Sequence, residues 1–309
     1  MLKIEGLVKK YGKFTAVDHL DMHVNKGSIF GFVGPNGAGK TTTMKIMAGL
    51  LSANEGSVII DGIDVSQNAD LLKQKIGYMP DFFGVYTDLR VDEYMDFYAG
   101  TYYIPYEQRG EIIDNLLELV DLSHKRKAYV DSLSRGMKQR LCLARALVHD
   151  PDILILDEPA SGLDPRARIE MKEVLKQLST LDKTIIISSH ILPELAEMCT
   201  EIGIINHGQM VDSGSVTDIM RHISKERIIE IKPLDKMQEI TFMLEQMPDV
   251  SDIVSNTFDI TFSYRGDDEG LARILAQTVS NGIPVLSFRE KEGNLEDIFM
   301  QLTGGEENA

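Results

Sequence analysis

The residues best suited to chemistry lie in a glycine-rich loop, GPNGAGKTT at 34–42, which fits the pattern G-x-x-x-x-G-K-S/T. In that pattern, backbone N–H groups turn towards phosphate oxygens, and the N-terminus of the next helix adds positive potential. Lys40 can bridge the β- and γ-phosphates, and the Thr41 hydroxyl is placed to bind Mg²⁺. The residues of this phosphate-binding loop are Gly34, Pro35, Asn36, Gly37, Ala38, Gly39, Lys40, Thr41 and Thr42. The loop therefore predicts a nucleotide site.

Two acidic residues follow a second apolar run. Ile153–Leu156 leads directly into Asp157 and Glu158. A buried strand that ends in acids delivers them to the carboxyl edge of the sheet, where open α/β folds bind ligands. We expect Asp157 to hold Mg²⁺ through water and Glu158 to polarise an attacking water. The alternative is that both acids only cap the turn before Pro159.

A histidine follows a third apolar run, Thr184–Ile187, in the sequence Ser188-Ser189-His190. At the carboxyl edge of a sheet, a histidine can hydrogen-bond a γ-phosphate and the attacking water. The pattern therefore predicts a catalytic role for His190. The alternative is a structural histidine with partners inside the protein.

The elements that must position these residues alternate between apolar runs and helical periodicity, which is typical of a parallel sheet with helical crossovers. Runs without polar alternation suit strands that are buried on both faces. These runs are Ile29–Val33, Val58–Ile60, Ile153–Leu156, Thr184–Ile187 and Ile202–Ile205. Residues 202–213 predict a hairpin that turns at His207–Gly208. Residues 106–120 carry an apolar helical stripe, which predicts a helical subdomain within about 84–150.

From about residue 225 the pattern changes to the order β-α-β-β-α-β, followed by a helix at Leu295–Leu302. This order predicts a ferredoxin-like domain. The expected domains are therefore 1–220 and 221–309. From Arg227 to Ala309 there are 7 basic and 16 acidic residues, which gives −9 of the total net charge of −16.

The composition argues against binding to nucleic acid or anionic lipid and against a membrane-spanning segment. The 309 residues include 48 acidic and 32 basic side chains, and this balance disfavours a sequence-independent grip on nucleic acid or anionic lipid. No apolar run approaches the 18 residues of a membrane span. We expect Cys142 and Cys199, each in an apolar helical pattern, to be free and buried thiols in a reducing cytosol.

Five motifs occur in an order that resembles the ATP-binding subunits of ABC transporters. After the phosphate-binding loop come LSRGMKQR at 133–140, ILILDEP at 153–159, SGLD at 161–164 and His190. The acidic second domain and the tail NLEDIFMQLTG resemble the multidrug-type subfamily, which works with separate ABC-2-type membrane subunits. The implied fold class is α/β: a P-loop ABC-type ATPase domain with a mostly parallel sheet, an N-terminal antiparallel β part and a helical insert. A small α+β ferredoxin-like domain follows it.

The resemblance assigns roles to further residues. Tyr11 stands where an aromatic ring stacks on adenine, although it could be an ordinary hairpin tyrosine. Ser134 is expected to cap a helix whose N-terminus points at the γ-phosphate of ATP held by a second subunit, in a homo- or heterodimer. Asp164 lies in the loop 161–164, here called the dimer loop, which crosses that interface. The signature segment is Leu133, Ser134, Arg135, Gly136 and Met137.

Three positions depart from the family pattern. Arg135 replaces the first signature glycine, and Met137 replaces the usual glutamine. Asp81 stands where the family usually has glutamine; it can bind Mg²⁺ but adds a negative charge near the phosphates. The sequence is compatible with two roles for Asp81: it either binds the metal ion or points away from the phosphates.

An aromatic group after Asp81 stands where the family receives a short helix of the membrane subunit. The expected docking residues are Phe82, Phe83 and Tyr86. The alternative is that these rings pack the helical insert onto the sheet.

The implied function is an ATP hydrolase that uses ATP and Mg²⁺ to power a separate polytopic membrane subunit, in export. The implied location is cytoplasmic, on the inner face of the cell membrane and held there by that subunit. One alternative is a soluble ABC protein that acts on ribosomes or DNA, which the single ATPase unit and the charge of −16 disfavour. The other is a nucleotide-sensing regulator without hydrolysis, which the presence of Glu158 and His190 disfavours.

Overall fold

The computed structural model describes residues 1–81, 84, 88–181, 183–223, 227–256 and 258–291. The chain divides into two compact units, Met1–Val216 and Thr217–Ala309. The strands are β1 (Leu2–Tyr11), β2 (Phe14–Val24), β3 (Ile29–Val33), β4 (Glu55–Ile60), β5 (Ile63–Asp64), β6 (Ile76–Met79), β7 (Ile153–Leu156), β8 (Thr184–Ser189), β9 (Glu201–Asn206), β10 (Gln209–Ser215), β11 (Arg227–Pro233), β12 (Val250–Ser255), β13 (Ile260–Tyr264) and β14 (Val285–Lys291). The helices are α1 (Lys40–Met47), α2 (Ala69–Lys75), α3 (Val91–Thr101), α4 (Tyr106–Leu119), α5 (Arg135–Leu147), α6 (Pro165–Ser179), α7 (Leu192–Ala196), α8 (Val216–Ile223), α9 (Met237–Glu245) and α10 (Asp268–Ser280). Short 3-10 turns lie at Ser123–Lys125 and Val130–Ser132.

A six-stranded sheet in the order β10-β9-β3-β8-β7-β6 forms the centre of the first unit. Its pairs from β9 to β6 are all parallel, and only β10 runs antiparallel. Strands β3, β7 and β8 are buried along their whole length, as their apolar runs predict. Because parallel strands end at one edge, the segments after β3, β7 and β8 meet there.

The predicted hairpin is confirmed: β9 and β10 turn at His207 and Gly208, which both have positive φ. Two such residues form the turn that matches the twist of the flanking strands.

A second, antiparallel sheet in the order β2-β1-β4-β5 confirms the N-terminal antiparallel part. The prediction that Val58–Ile60 forms a strand buried on both faces is wrong. This run ends β4, which pairs with β1 antiparallel, and Ile59 between Val58 and Ile60 is only half-buried.

The helical insert contains α3 and α4, followed by α5. Ile113, Leu117 and Val120 are buried along the predicted stripe. Helix α5 is buried on most of its length and carries Cys142, which is buried and free. Cys199 is free but only partly buried, and it follows α7 rather than lying in a helix as predicted, because α7 ends at Ala196.

The second unit confirms the predicted β-α-β-β-α-β order. Its sheet has the antiparallel order β12-β13-β11-β14, and α9 and α10 supply the other half of its core. The predicted helix Leu295–Leu302 lies outside the described residues. Within the part of the chain that the structure describes, no helix is long and apolar enough to cross a membrane.

Candidate nucleotide site

The phosphate-binding loop connects β3 to α1 in a conformation that requires glycine. Gly37 and Gly39 have φ of 81° and 106°, in the left-handed region that favours glycine. A Cβ on Gly39 would lie 2.5 Å from the carbonyl oxygen of Ala16. A Cβ on Gly34 would overlap the carbonyl oxygen of Ile205. The loop is therefore closely packed from both sides, and α1 begins directly after it.

Lys40 is the buried cation at the centre of the loop. Its Nζ donates to the carbonyl oxygens of Gly34 at 2.7 Å and Pro35 at 3.1 Å, and it lies 3.6 Å from Glu158 Oε1. Burial lowers the pKa of Lys40, while the Glu158 carboxylate opposes that change. The ammonium group is thus held where it faces the end of β7.

Asp157 is fully buried at the end of β7. Its Oδ1 accepts hydrogen bonds from Thr41 Oγ1 at 3.2 Å and Ser188 Oγ at 2.8 Å. Its Oδ2 has no hydrogen-bond partner among the described residues. Burial raises the pKa of this carboxyl group, and its bonds to Ser188 and Thr41 oppose the shift. A free carboxylate oxygen next to a hydroxyl group is a donor set that suits Mg²⁺.

Glu158 and His190 form a pair at the mouth of the site. Glu158 Oε2 lies 3.0 Å from His190 Nδ1. The Glu158 N–H donates to Ser188 Oγ at 2.9 Å, and Glu158 has a φ of 50°, in the left-handed region. Such backbone strain is common at functional sites because the surrounding structure must hold it in place.

An open cleft of about 540 Å³ brings together most of the predicted nucleotide-site residues. Those in its lining are Tyr11, Asn36, Gly37, Gly39, Lys40, Thr41, Thr42, Asp81, Glu158 and His190. Gly34 and Pro35 lie at the start of the loop beneath Lys40, and Ala38 is buried. Asp81 faces the cleft, and its charge contributes to the raised pKa of Asp157.

Four residues of the site were not predicted. Phe14, Ala16 and Ser161 line the cleft, and Ser188 bonds to both acidic residues that follow β7. Phe14 pairs with Tyr11 across the tight turn between β1 and β2. A second aromatic residue so close to Tyr11 in the sequence was the signal that could have identified Phe14. The position of Ser188 directly after an apolar run was the signal for this residue, because a buried hydroxyl needs partners.

The signature segment begins α5. Ser134 caps this helix, as predicted, by accepting a hydrogen bond from Met137 N at 3.3 Å. Leu133 is buried, and a Cβ on Gly136 would lie 2.8 Å from Ala167 Cβ. Asp164 caps α6 by accepting from Ala167 N at 2.9 Å. Neither the signature segment nor Asp164 lines the cleft of its own chain, as far as the described residues show.

The predicted docking residues Phe82, Phe83 and Tyr86 lie outside the described residues. Their role stays a prediction.

Comparison with protein families gives two matches. Residues 17–161 match the ABC transporter family, and residues 214–303 match the C-terminal domain of DrrA1-3-like ATP-binding proteins.

Similar curated proteins cover the whole chain. The bacitracin transport ATP-binding protein BcrA of Bacillus licheniformis is 36% identical, over 99% of this chain and 98% of its own length. The linearmycin resistance ATP-binding protein LnrL of Bacillus subtilis is 32% identical, over 98% of each chain. The Nod factor export ATP-binding protein I of Ralstonia nicotianae is 33% identical, over 99% of this chain and 94% of its own length.

Similar solved structures cover about seven tenths of the chain. An ATP-binding subunit of an ABC transporter is 26% identical with a TM-score of 0.66, over 72% of this chain and 93% of its own. A dimeric ATP-binding cassette with bound ADP and phosphate, in a post-hydrolysis state, is 25% identical with a TM-score of 0.64, over 70% of this chain and 99% of its own. The chain therefore belongs to the ABC transporter family and is one of its ATP-binding proteins, with a DrrA1-3-like domain after the ATPase domain.

Proposed function

We propose that this chain hydrolyses ATP in the cleft and thereby powers a separate polytopic membrane subunit in export. The observation that carries the catalytic part is the buried Asp157 Oδ2, which has no hydrogen-bond partner among the described residues. Asp157 bonds to Thr41 and directly precedes Glu158, which pairs with His190. The names of the relatives, which refer to bacitracin transport, linearmycin resistance and Nod factor export, support the transport part.

Thr41 and Asp157 are the residues that would hold Mg²⁺, with Asp81 as a further carboxylate at the same cleft. When bound, the ion neutralises charge on the β- and γ-phosphates. The free oxygen of Asp157 supports this assignment, since a buried carboxylate otherwise keeps its hydrogen bonds satisfied.

Tyr11 at the edge of the cleft is proposed to stack on adenine, and Lys40 to contact the β- and γ-phosphates. Glu158 is proposed to polarise the attacking water. Ser188 fixes the Glu158 backbone, and His190 fixes its carboxylate and senses the γ-phosphate. These residues position and stabilise charge, which is most of what phosphoryl transfer requires.

A second ATPase subunit, identical or related, is proposed to complete the site. The N-terminus of α5 carries a serine cap, and in the part of the chain that the structure describes it does not line the nucleotide cleft. A helix N-terminus favours phosphate. We assign this helix N-terminus to the ATP of the second subunit, with Asp164 at the interface.

In this proposal residues 1–220 are the ATPase domain and 221–309 an accessory domain. The membrane subunit holds both at the cytoplasmic face of the membrane.

Replacing Glu158 tests the catalytic proposal. The purified chain should release phosphate from ATP in the presence of Mg²⁺. Glu158→Gln should reduce this rate about 100-fold or more, because a general base contributes at least that much. The variant should also elute as an ATP-bound dimer. Glu173→Gln, on the exposed face of α6, is the control and should keep the original rate. Unchanged turnover in Glu158→Gln would overturn the assignment of the base.

A further inference from the structure

Two side chains near the start of α5 donate hydrogen bonds to the dimer loop. Arg135 Nη2 donates to the carbonyl oxygen of Ser161 at 3.2 Å, and Gln139 Nε2 donates to the same oxygen at 3.1 Å. A Cβ on Gly136 would lie 2.8 Å from Ala167 Cβ in α6 and 3.5 Å from Leu163 Cδ2 in the dimer loop, so Gly136 packs closely on both. The signature segment and the dimer loop are therefore in direct contact within one chain.

The Arg135 guanidinium lies against the backbone of Gly162. Gly162 has a φ of 65°, and a Cβ there would overlap the carbon and both terminal nitrogens of the guanidinium. Any side chain at position 162 would displace Arg135. The glycine of the dimer loop thus makes room for the arginine of the signature segment.

The stability of α5 does not account for Arg135. A cation in the first helical turn is unfavourable, because the helix N-terminus already carries positive potential. None of the ion pairs between described residues includes Arg135. Its polar contact is with the dimer loop.

The dimer loop also contacts the nucleotide cleft. The Ser161 N–H donates to the Glu158 carbonyl oxygen at 3.0 Å, and Ser161 lines the cleft with Glu158 and His190. A continuous series of contacts therefore leads from the cleft through Ser161 to Arg135 and the start of α5.

We propose that Arg135 is a positioning residue that couples the nucleotide cleft of this chain to its own signature segment. The inference rests on the proposed function, in which that segment serves the ATP of the second subunit. Occupancy of one cleft shifts the dimer loop, and Arg135 passes the shift to the segment that completes the other cleft. This link makes the two ATP sites of a dimer cooperative.

Hydrogen–deuterium exchange of the full chain, with and without ADP·Mg²⁺ at low protein concentration, tests the link. In the unaltered chain, ADP·Mg²⁺ should slow exchange in three segments: the phosphate-binding loop, residues 158–164 and residues 133–140. In Arg135→Ala the first two responses should remain, and the response of 133–140 should fall at least threefold. Arg135→Lys should behave like Arg135→Ala, because an ammonium group lacks the planar face that packs on Gly162.

Arg166→Ala is the matched control, since Arg166 is an exposed arginine at the start of α6 whose ion pair is with Glu170. It should keep all three responses. A full response of 133–140 in Arg135→Ala, with 158–164 responding normally, would overturn the inference alone. No response of the phosphate-binding loop in the unaltered chain would instead contradict the proposed function, and the inference with it.

Discussion

At the scale of single residues, the site depends on a buried carboxylate that the protein alone does not fully satisfy. Among the described residues, Asp157 receives hydrogen bonds from Thr41 and Ser188 on Oδ1 and none on Oδ2. Its raised pKa shows that the folded protein disfavours its ionised form. A bound cation would reverse this, because it favours the ionised form.

Replacing Asp157 should therefore stabilise the metal-free protein. Because the pKa is higher in the folded state, the ionised carboxylate opposes folding above that pKa, and the effect disappears as pH falls and both states become protonated. Asp157→Asn should raise the unfolding temperature at pH 7 without Mg²⁺, and the gain should vanish in acid. The same variant should lose the stabilisation by ATP·Mg²⁺. Thermal scans that show a lower unfolding temperature at pH 7 would contradict this account.

Asp81 is the residue that departs most from the family pattern. Its carboxylate faces the cleft and adds negative charge near Asp157. Asp81→Gln should leave nucleotide binding intact and change the rate of hydrolysis or its coupling to transport. ATP binding, phosphate release and transport should be compared with those of Asp70→Asn, a control at an exposed carboxylate. Equal ATPase and transport rates in the Asp81 variant and the unaltered chain would remove any special role.

At the scale of elements, two helix caps allow an effect on stability to be distinguished from an effect on function. Ser134 caps α5 at the proposed interface, and Asp267 caps α10 in the second unit through Gly270 N at 2.8 Å. Ser134→Ala and Asp267→Ala should each lower the free energy of unfolding by about 1 kcal/mol in denaturant titrations. Only Ser134→Ala should also weaken the ATP-dependent dimer formed in the Glu158→Gln background. Equal effects of both variants on that dimer would argue against a role for the signature segment in binding the partner's ATP.

The elements around the site were predictable because each depends on local pattern. The loop at 34–42 fits a fixed pattern of glycine, lysine and threonine, β7 is wholly apolar, and the centre of β8 is the apolar run 185–187. Val58–Ile60 was misassigned because its partner β1 is more than 50 residues away, and three residues show no periodicity. The contacts of Arg135 with the dimer loop could not be predicted either, since they depend on how closely α5 approaches α6.

At the scale of the whole molecule, the two units differ in what they contain. The first unit holds the cleft, its acids and the signature segment. Among the described residues, the second contains most of α8 and a small antiparallel sheet with α9 and α10. Residues 227–309 carry −9 of the net charge of −16. In our proposal, the first units of two such chains together hydrolyse ATP, and a separate membrane subunit couples this reaction to transport.

The most direct test of that central proposal is an affinity pull-down of the full chain from native membranes in mild detergent. Co-purifying proteins would be identified by mass spectrometry, with a tag-only sample as the control. We expect a polytopic membrane protein to be recovered, and its identity would also narrow the range of transported substrates. Recovery of ribosomal or DNA-associated proteins without a membrane subunit would contradict the transport function and leave the ATPase standing.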